Sequence, residues 1–339
     1  MTTAREHSEE ASFTGIRRFP NRILRLLLAA ALAATGAALA QSYPDKPLRV
    51  IITFAPGGPA DILARMLQPK LTESLGQPLI IENRGGAGGT LAEAQLAKSA
   101  PDGYTMMMSG DSGPASAHLY RGLNYDFLRD LLPVSLLTQV PLALLVNPSV
   151  PATTLAEFVT YARSRQGQLS YGSPGTGTIS HLYVELLKGL AGIEMAHVPY
   201  KGGAPAMAGL MGEQVQALLL SVTLSAPQVR TGKVRALAMT GEKRSPMLPQ
   251  VPTFGESGYA DLKTSTWTGL FLPAGTPLAI VQRLHAEFNK SARAPENEAR
   301  IRNLGAEVVM SSPAEFAALL RAEHDRLGKL IRERRISAD

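Results

Sequence analysis

The stretch VIITFAPGGPADILARMLQ, residues 50–68, decides how the rest of the chain is read. Its apolar, β-branched opening has the character of a strand. The run stops at Pro56-Gly57-Gly58-Pro59, and Ile62, Leu63, Met66, Leu67 and Leu71 then recur at helical spacing. A strand at 48–55 therefore feeds a helix at 59–76 through a tight turn. Gly57 and Gly58 let backbone come close to a ligand, and Pro59 suits the first helical position, where its missing N–H costs nothing. Free amides at such a helix start face a small anion, helped by the helix dipole. Asp61 stands where a carboxylate satisfies one terminal amide. The same turn also reads as a plain βα connection without a ligand, so it does not decide function by itself.

Working outward, the alternation continues. Residues 79–82 read as a strand, NRGGAGGT (83–90) as a glycine turn opening a helix at 91–99, and 104–109 as an apolar strand of the kind covered on both faces. Such βαβ alternation predicts an α/β fold with a mostly parallel sheet flanked by helices. Near Leu131 the rhythm changes, because LLPVSLLTQVPLALLVN (131–147) is long, apolar and interrupted by prolines. A second series follows, with helices at 155–166, 179–190 and 204–212 and strands at 169–171, 195–200, 215–222 and 234–240. EKRSPMLPQVPTFGESGY (242–259) reads as an irregular surface crossing. A strand at 267–272 and mostly helices complete the chain. Roughly 300 residues exceed one comfortable core, so two lobes are expected: residues 41–141 with 263–339, and 142–262. Two crossing strands between them would form a hinge.

Composition narrows the function. At 45% hydrophobic and 18% charged, the 339 residues have ordinary globular character. The net charge of +6 comes from scattered residues without a dense Lys/Arg run, so nucleic-acid binding is not expected. The absence of cysteine removes disulfides, thiolate catalysis and Cys-based zinc sites. His118, His181, His197, His285 and His324 show no metal-ligand spacing, so neither a metal nor a cofactor is expected. Residues 1–40 read as a secretory leader: Arg17, Arg18, Arg22 and Arg25 precede an apolar run, and Ala38-Leu39-Ala40 offers a cleavage site before Gln41. No later run reaches the length of a spanning helix.

Three further glycine turns follow strands. GSPGTGTISHLYVELL (172–187) repeats the first design: Thr176, Thr178 and Ser180 offer hydroxyls, Gly175 and Gly177 expose amides, and His181 sits in the first helical turn. A packed or capping role suits His181 better than ligand contact. VPYKGGAPAM (198–207) places Tyr200 where it could pack on a ligand, beside a Lys201 read as solvated. NRGGAGGT and GTGTIS both fail the dinucleotide fingerprint, since Leu91 and Ser180 stand where the third glycine belongs, and no P-loop occurs. GDSGPAS (110–116) looks like a serine-protease nucleophile box around Ser112, but the βα pattern is not that of a two-barrel protease.

Together with the leader, the ordered segments YPDKPLRVIITFAPGGPAD, ENRGGAGG, PDGYT, YGSPGTGTISHL, HVPYKGGAPAM, TGKVRALAMTGEKRSPMLPQVPTFGESGY and WTGLFLPAGTP resemble one family across residues 43–339. It is the periplasmic solute receptors of the tripartite tricarboxylate transporter class, also called the Bordetella uptake gene family. The resemblance implies a two-lobe periplasmic-binding-protein-like (Venus flytrap) fold, non-enzymatic and monomeric, with a small carboxylate held in the cleft. The partners it implies are that organic anion and membrane transporter subunits. It maps ligand contacts to Phe54, Ala55, Pro56, Gly57, Gly58 and Asp61, and to Gly175, Thr176, Gly177, Thr178 and His181. Ser109, Gly110, Tyr200 and Gly202 complete the set from the ends of neighbouring strands. Phe54 departs from the tyrosine common in the family and so lacks its hydroxyl. An exported receptor signalling to a sensor is the alternative function, with an exported α/β hydrolase behind it. On this reading Gly58→Val abolishes binding more than Lys201→Ala does.

Overall fold

The alternation read from the sequence builds two sheets in succession. The computed structural model describes residues 43–336, so the leader and cleavage site expected at 1–40 lie outside the described residues. β1 (Leu48–Ile52) crosses through α1 (Pro59–Leu75) to β2 (Leu79–Asn83), and α2 (Thr90–Ala97) leads back to β3 (Thr105–Ser109). β2, β1 and β3 pair in parallel. Short helices α3 (Gly113–Leu119) and α4 (Phe127–Asp130) precede the long β4 (Leu131–Val140). A single residue, Pro141, separates β4 from β5 (Leu142–Val146), which belongs to the second sheet.

That sheet grows through α5 (Leu155–Arg163), β6 (Leu169–Ser173), α6 (Ile179–Ala191), β7 (Met195–Pro199), α7 (Gly203–Met211), β8 (Ala217–Ser221), α8 (Val222–Arg230) and β9 (Arg235–Met239). β10 (Thr266–Pro273) returns to the first sheet, followed by α9 (Leu278–Ala292), α10 (Pro295–Asn303), β11 (Glu307–Val308) and α11 (Pro313–Arg334). The strand orders are β11-β4-β10-β3-β1-β2 and β7-β6-β8-β5-β9.

Both sheets are mixed: most strands run one way, as the α/β reading expects, and antiparallel strands are inserted among them. β10 runs antiparallel to β3 and β4, and β5 runs antiparallel to β8 and β9. Helical crossovers dictate parallel pairing only for the strands that they join. β5 and β10 carry the chain between sheets and enter without such a crossover.

Each sheet is covered on both faces. In β5, Leu142, Leu144 and Val146 join one apolar cluster with α5 and α6, while Ala143 and Leu145 join another with α7 and α8. All five are buried, hence their unbroken apolar run. In the first sheet Ile51, Met107, Leu136 and Phe271 pack with Phe316 and Leu320 of α11. The later part of α11 sends Leu327 and Ile331 into the second sheet's core. One helix thus threads both lobes. It starts at a capping box, in which Ser312 Oγ accepts from Glu315 N and the Glu315 side chain accepts from Ser312 N.

Two segments depart from the sequence reading. VTLSAPQVR has weak helix propensity and a central Pro227, yet forms α8 because Val222 and Ala226 are buried in the second lobe. The 242–259 segment is irregular, but it is more than a surface crossing. Leu248, Val251 and Phe254 are buried, and Phe254 N donates to Met239 O at 2.8 Å, continuing the edge of β9. Proline and glycine prevent a regular ladder there, while the apolar side chains still enter the core.

Candidate functional site

The β1–α1 turn is held by its own aspartate. Gly57 N donates to Asp61 Oδ2 at 2.9 Å, and Arg65 Nε donates to Asp61 Oδ1 at 3.0 Å. Burial acts to raise the Asp61 pKa, but bonds from Arg65, Gly57 and Asn83 outweigh it, so the carboxyl stays below its ordinary value. Gly57 has φ +83°, the left-handed region that favours glycine. Gly58, the N-cap, has φ −80° and ψ 168°, an extended conformation open to any residue. The backbone need for glycine therefore rests on Gly57, and Gly58 matters for close approach alone. Among the described residues no acceptor meets the amides of Gly58, Ala60 or Asp61. The start of α1 thus presents open amides, the kind of surface on which an anion can be held.

The β6–α6 turn is built alike, but most of its amides are bonded within the protein. Gly175 N donates to Ser173 Oγ at 3.2 Å, Gly177 N to His181 Nδ1 at 3.1 Å, and Thr178 N to Gly175 O at 3.3 Å. Thr178 is the N-cap, its side chain accepting from His181 N at 3.4 Å. Ile179 N reaches across to the first lobe and donates to Asp111 Oδ1 at 3.0 Å. Asp111 Oδ2 accepts from Thr266 Oγ1. Burial pushes the Asp111 pKa up to about 6 in spite of these bonds.

Both turns open on one cavity with an empty volume of about 580 Å³, mouth included. Of the residues expected at the site, Phe54, Ala55, Gly58, Asp61, Gly110 and Thr178 line it, as does the Ser180 noted for its hydroxyl. Pro56, Gly57, Ser109, Gly175, Thr176, Gly177, His181, Tyr200 and Gly202 do not. The Tyr200 hydroxyl donates to Gln214 Oε1 at 3.1 Å, and its ring lies over Gly209 of α7. His181 is buried and stacked on His197 at 3.9 Å, and His197 is stacked on Tyr171 at 5.0 Å. Desolvation lowers the His181 pKa to about 4, and desolvation with repulsion from His181 lowers that of His197 to about 3. The Gly177 N–H assigns the proton of neutral His181 to Nε2.

Sequence reading missed Ile52, Leu142, Leu220 and Trp267 as apolar walls, and Asp111, Ser221, Thr266 and Thr268 as polar ones. Thr266 and Thr268 flank the chain's one tryptophan, the nearest thing to a local signal. Among the described residues lining the cavity there is no cationic side chain.

The turns also touch directly. Ala55 N donates to Lys201 O at 3.0 Å across the lobes. A β-carbon at Gly202 would lie 3.2 Å from Ala55 N, and one at Gly88 only 2.4 Å from Thr176 O. The NRGGAGG turn, which fails as a dinucleotide fingerprint, is therefore the small-residue seam where the second lobe approaches the first.

Two mixed sheets with helices on their faces and a cavity between their turns define the two-lobe solute-binding fold. The chain belongs to the family described as the tripartite tricarboxylate transporter family receptor, whose model matches residues 63–336. Protein BugT of Bordetella pertussis is 34% identical over 296 residues, spanning 87% of this chain and 91% of BugT. A structure of R. palustris Rpa4515 with adipate matches with TM-score 0.83 at 34% identity, covering 86% of this chain and 98% of that one. MatC (Rpa3494) from Rhodopseudomonas palustris with bound malate matches with TM-score 0.81 at 34% identity, covering 85% and 100%.

Proposed function

We propose that the protein is a periplasmic receptor that captures a small carboxylate between its lobes and delivers it to a tripartite tricarboxylate-type membrane transporter. The observation that carries this reading is the open start of α1, whose free Gly58, Ala60 and Asp61 amides line a cavity without a cationic side chain. A carboxylate there meets amides and the helix dipole, worth roughly 0.3–2 kcal/mol per helix end, and avoids the desolvation cost of a buried ion pair. Several such contacts closing together reach about −8 kcal/mol, a micromolar affinity that permits release. Adipate and malate in the two R. palustris structures support the ligand class, and the family supports the partner and the periplasmic location.

The first lobe comprises residues 41–141 and 263–339, the second 142–262, with α11 bridging both, and a leader at 1–40 directs export. The protein acts as a monomer and without catalysis. Ser112 Oγ is buried without a hydrogen-bond partner among the described residues, so no base there activates it.

Trp267 lines the cavity and is the sole tryptophan, so its fluorescence reports occupancy. Native mass spectrometry after gentle purification identifies the retained compound, and fluorescence titration then measures its affinity. A retained carboxylate that binds reversibly and unchanged is the expected result. Steady conversion of that compound, or a retained ligand without a carboxylate, overturns the reading.

A further inference from the structure

The two ends of the cavity are not alike. At the α1 end, three amides are free to receive an anion. At the α6 end the amides of Gly175, Gly177, Thr178, Ile179 and His181 are already bonded within the protein, which leaves Ser180 as the one open amide among the described residues of that helix start. The acceptor on Ile179 is itself a carboxylate, that of Asp111, which is 5% exposed and lines the cavity.

The hydroxyls around Asp111 reinforce this polarity. Thr266 Oγ1 donates its proton to Asp111, and Thr178 Oγ1 donates to Gly175 O at 2.8 Å. A hydroxyl whose proton is engaged offers a ligand only lone pairs. Ser221 Oγ, also on the cavity wall, is buried without a hydrogen-bond partner among the described residues. A buried polar atom left unpaired is costly, so it marks a place for a ligand or water. His181 stands behind the turn, neutral and engaged, and among the described residues no cation on the wall offsets the aspartate.

We propose that Asp111 makes the α6 end of the cavity anionic and acceptor-rich, so that the receptor selects a ligand with one carboxylate and a hydrogen-bond donor, neutral or cationic, at its other end, and rejects dicarboxylates. The proposal rests on the receptor reading above and names its ligand class. A second carboxylate would meet a like charge in a site shielded from water, and among the described residues lining that end only the Ser180 amide is without an acceptor. An ω-hydroxyl or ω-ammonium group finds Asp111 and the spare lone pairs of Thr178 and Thr266.

The test uses two matched probe series, ω-hydroxycarboxylates and α,ω-dicarboxylates from four to eight carbons. Calorimetry is run at pH 8, above the pKa of Asp111, on the wild type and on Asp111→Asn, with folding checked by circular dichroism. In the wild type the best hydroxy acid should bind at least tenfold tighter than the diacid of equal length. Asp111→Asn should shrink that ratio at least fivefold, chiefly by tightening the diacid. A wild type that binds diacids as tightly or more tightly, or a ratio unmoved in Asp111→Asn, overturns this inference and leaves the receptor reading standing. Binding by no member of either series removes the receptor reading, and this inference with it.

Discussion

Gly57 and Gly58 are adjacent and chemically identical, yet they hold different posts. Gly57 supplies the positive φ of the turn, so Gly57→Ala should cost about 1–2 kcal/mol of stability. Gly58 sits in an extended conformation, and a β-carbon there meets only Ala55 O at 3.7 Å. Gly58→Val should therefore fold normally while its methyls crowd the open amides, and titration should show at least a tenfold loss of affinity. Lys201 contributes its carbonyl to the seam and exposes its side chain, so Lys201→Ala should stay within twofold. The reverse order of effects would replace the helix-terminus site with a charge-paired one. The histidine column yields a second expectation. Because His181 and His197 are depressed to about 4 and 3, neither should titrate above pH 5.5 in ring-nitrogen NMR spectra. In the unfolded chain they take protons near pH 6.5. Their contribution to stability is therefore complete above pH 6.5 and is lost as pH falls toward 4 and 3, at most about 1.4 kcal/mol per pH unit for each. Asp111 and Glu93, raised by burial to about 6 and 7, act in the opposite sense over the same range, so the spectra are the cleaner measurement. A midpoint above 5.5 for either ring would contradict the packed assignment.

At the scale of elements, the glycine turns divide into one that leaves its amides open and others that let the lobes meet. The β1–α1 turn leaves amides open, whereas the turns around Gly88, Gly175 and Gly202 bring backbone against backbone. Gly88→Ala would drive a methyl to 2.4 Å from Thr176 O, a clash that flexible side chains cannot relieve. The variant should keep its fold, bind at least tenfold more weakly, and lose most of the ligand-induced compaction seen by small-angle scattering. Normal closure in Gly88→Ala would show that the seam is not needed. The same geometry explains why two glycine-rich turns mimic a dinucleotide fingerprint without satisfying it: close approach of a neighbouring backbone, like that of a phosphate, requires small residues.

On the scale of the molecule, α11 links two cores that the sheets keep apart. Phe316 and Leu320 are buried with the first sheet, Leu327 and Ile331 with the second. Unfolding one lobe therefore strips apolar contacts from the other. Calorimetry should show one cooperative transition, and Leu327→Ala and Leu144→Ala should each lower it as a unit, by about 2–5 kcal/mol for a fully buried leucine. Two resolved transitions, or a variant that shifts only part of the heat absorption, would mean that the lobes unfold independently.

Local chemistry was enough to establish most elements of this protein, because strand, glycine turn and helix are each encoded within a few residues by side-chain period and backbone freedom. The Pro56–Pro59 turn, the second glycine turn before α6 and the buried strand β5 are all legible in that way. Family membership was legible too, since the ordered turns survive as short segments. Tertiary structure alone decided the rest. It set the mixed strand directions, because β5 and β10 change sheets without a helical crossover. It made a helix of the weak VTLSAPQVR segment by burying one face. It turned Tyr200 and His181 away from the cavity by giving them packing partners distant in sequence. It also brought Asp111, Ser221 and Thr266 from three separate segments to one wall, a juxtaposition that no spacing along the chain can signal because it depends on two lobes meeting.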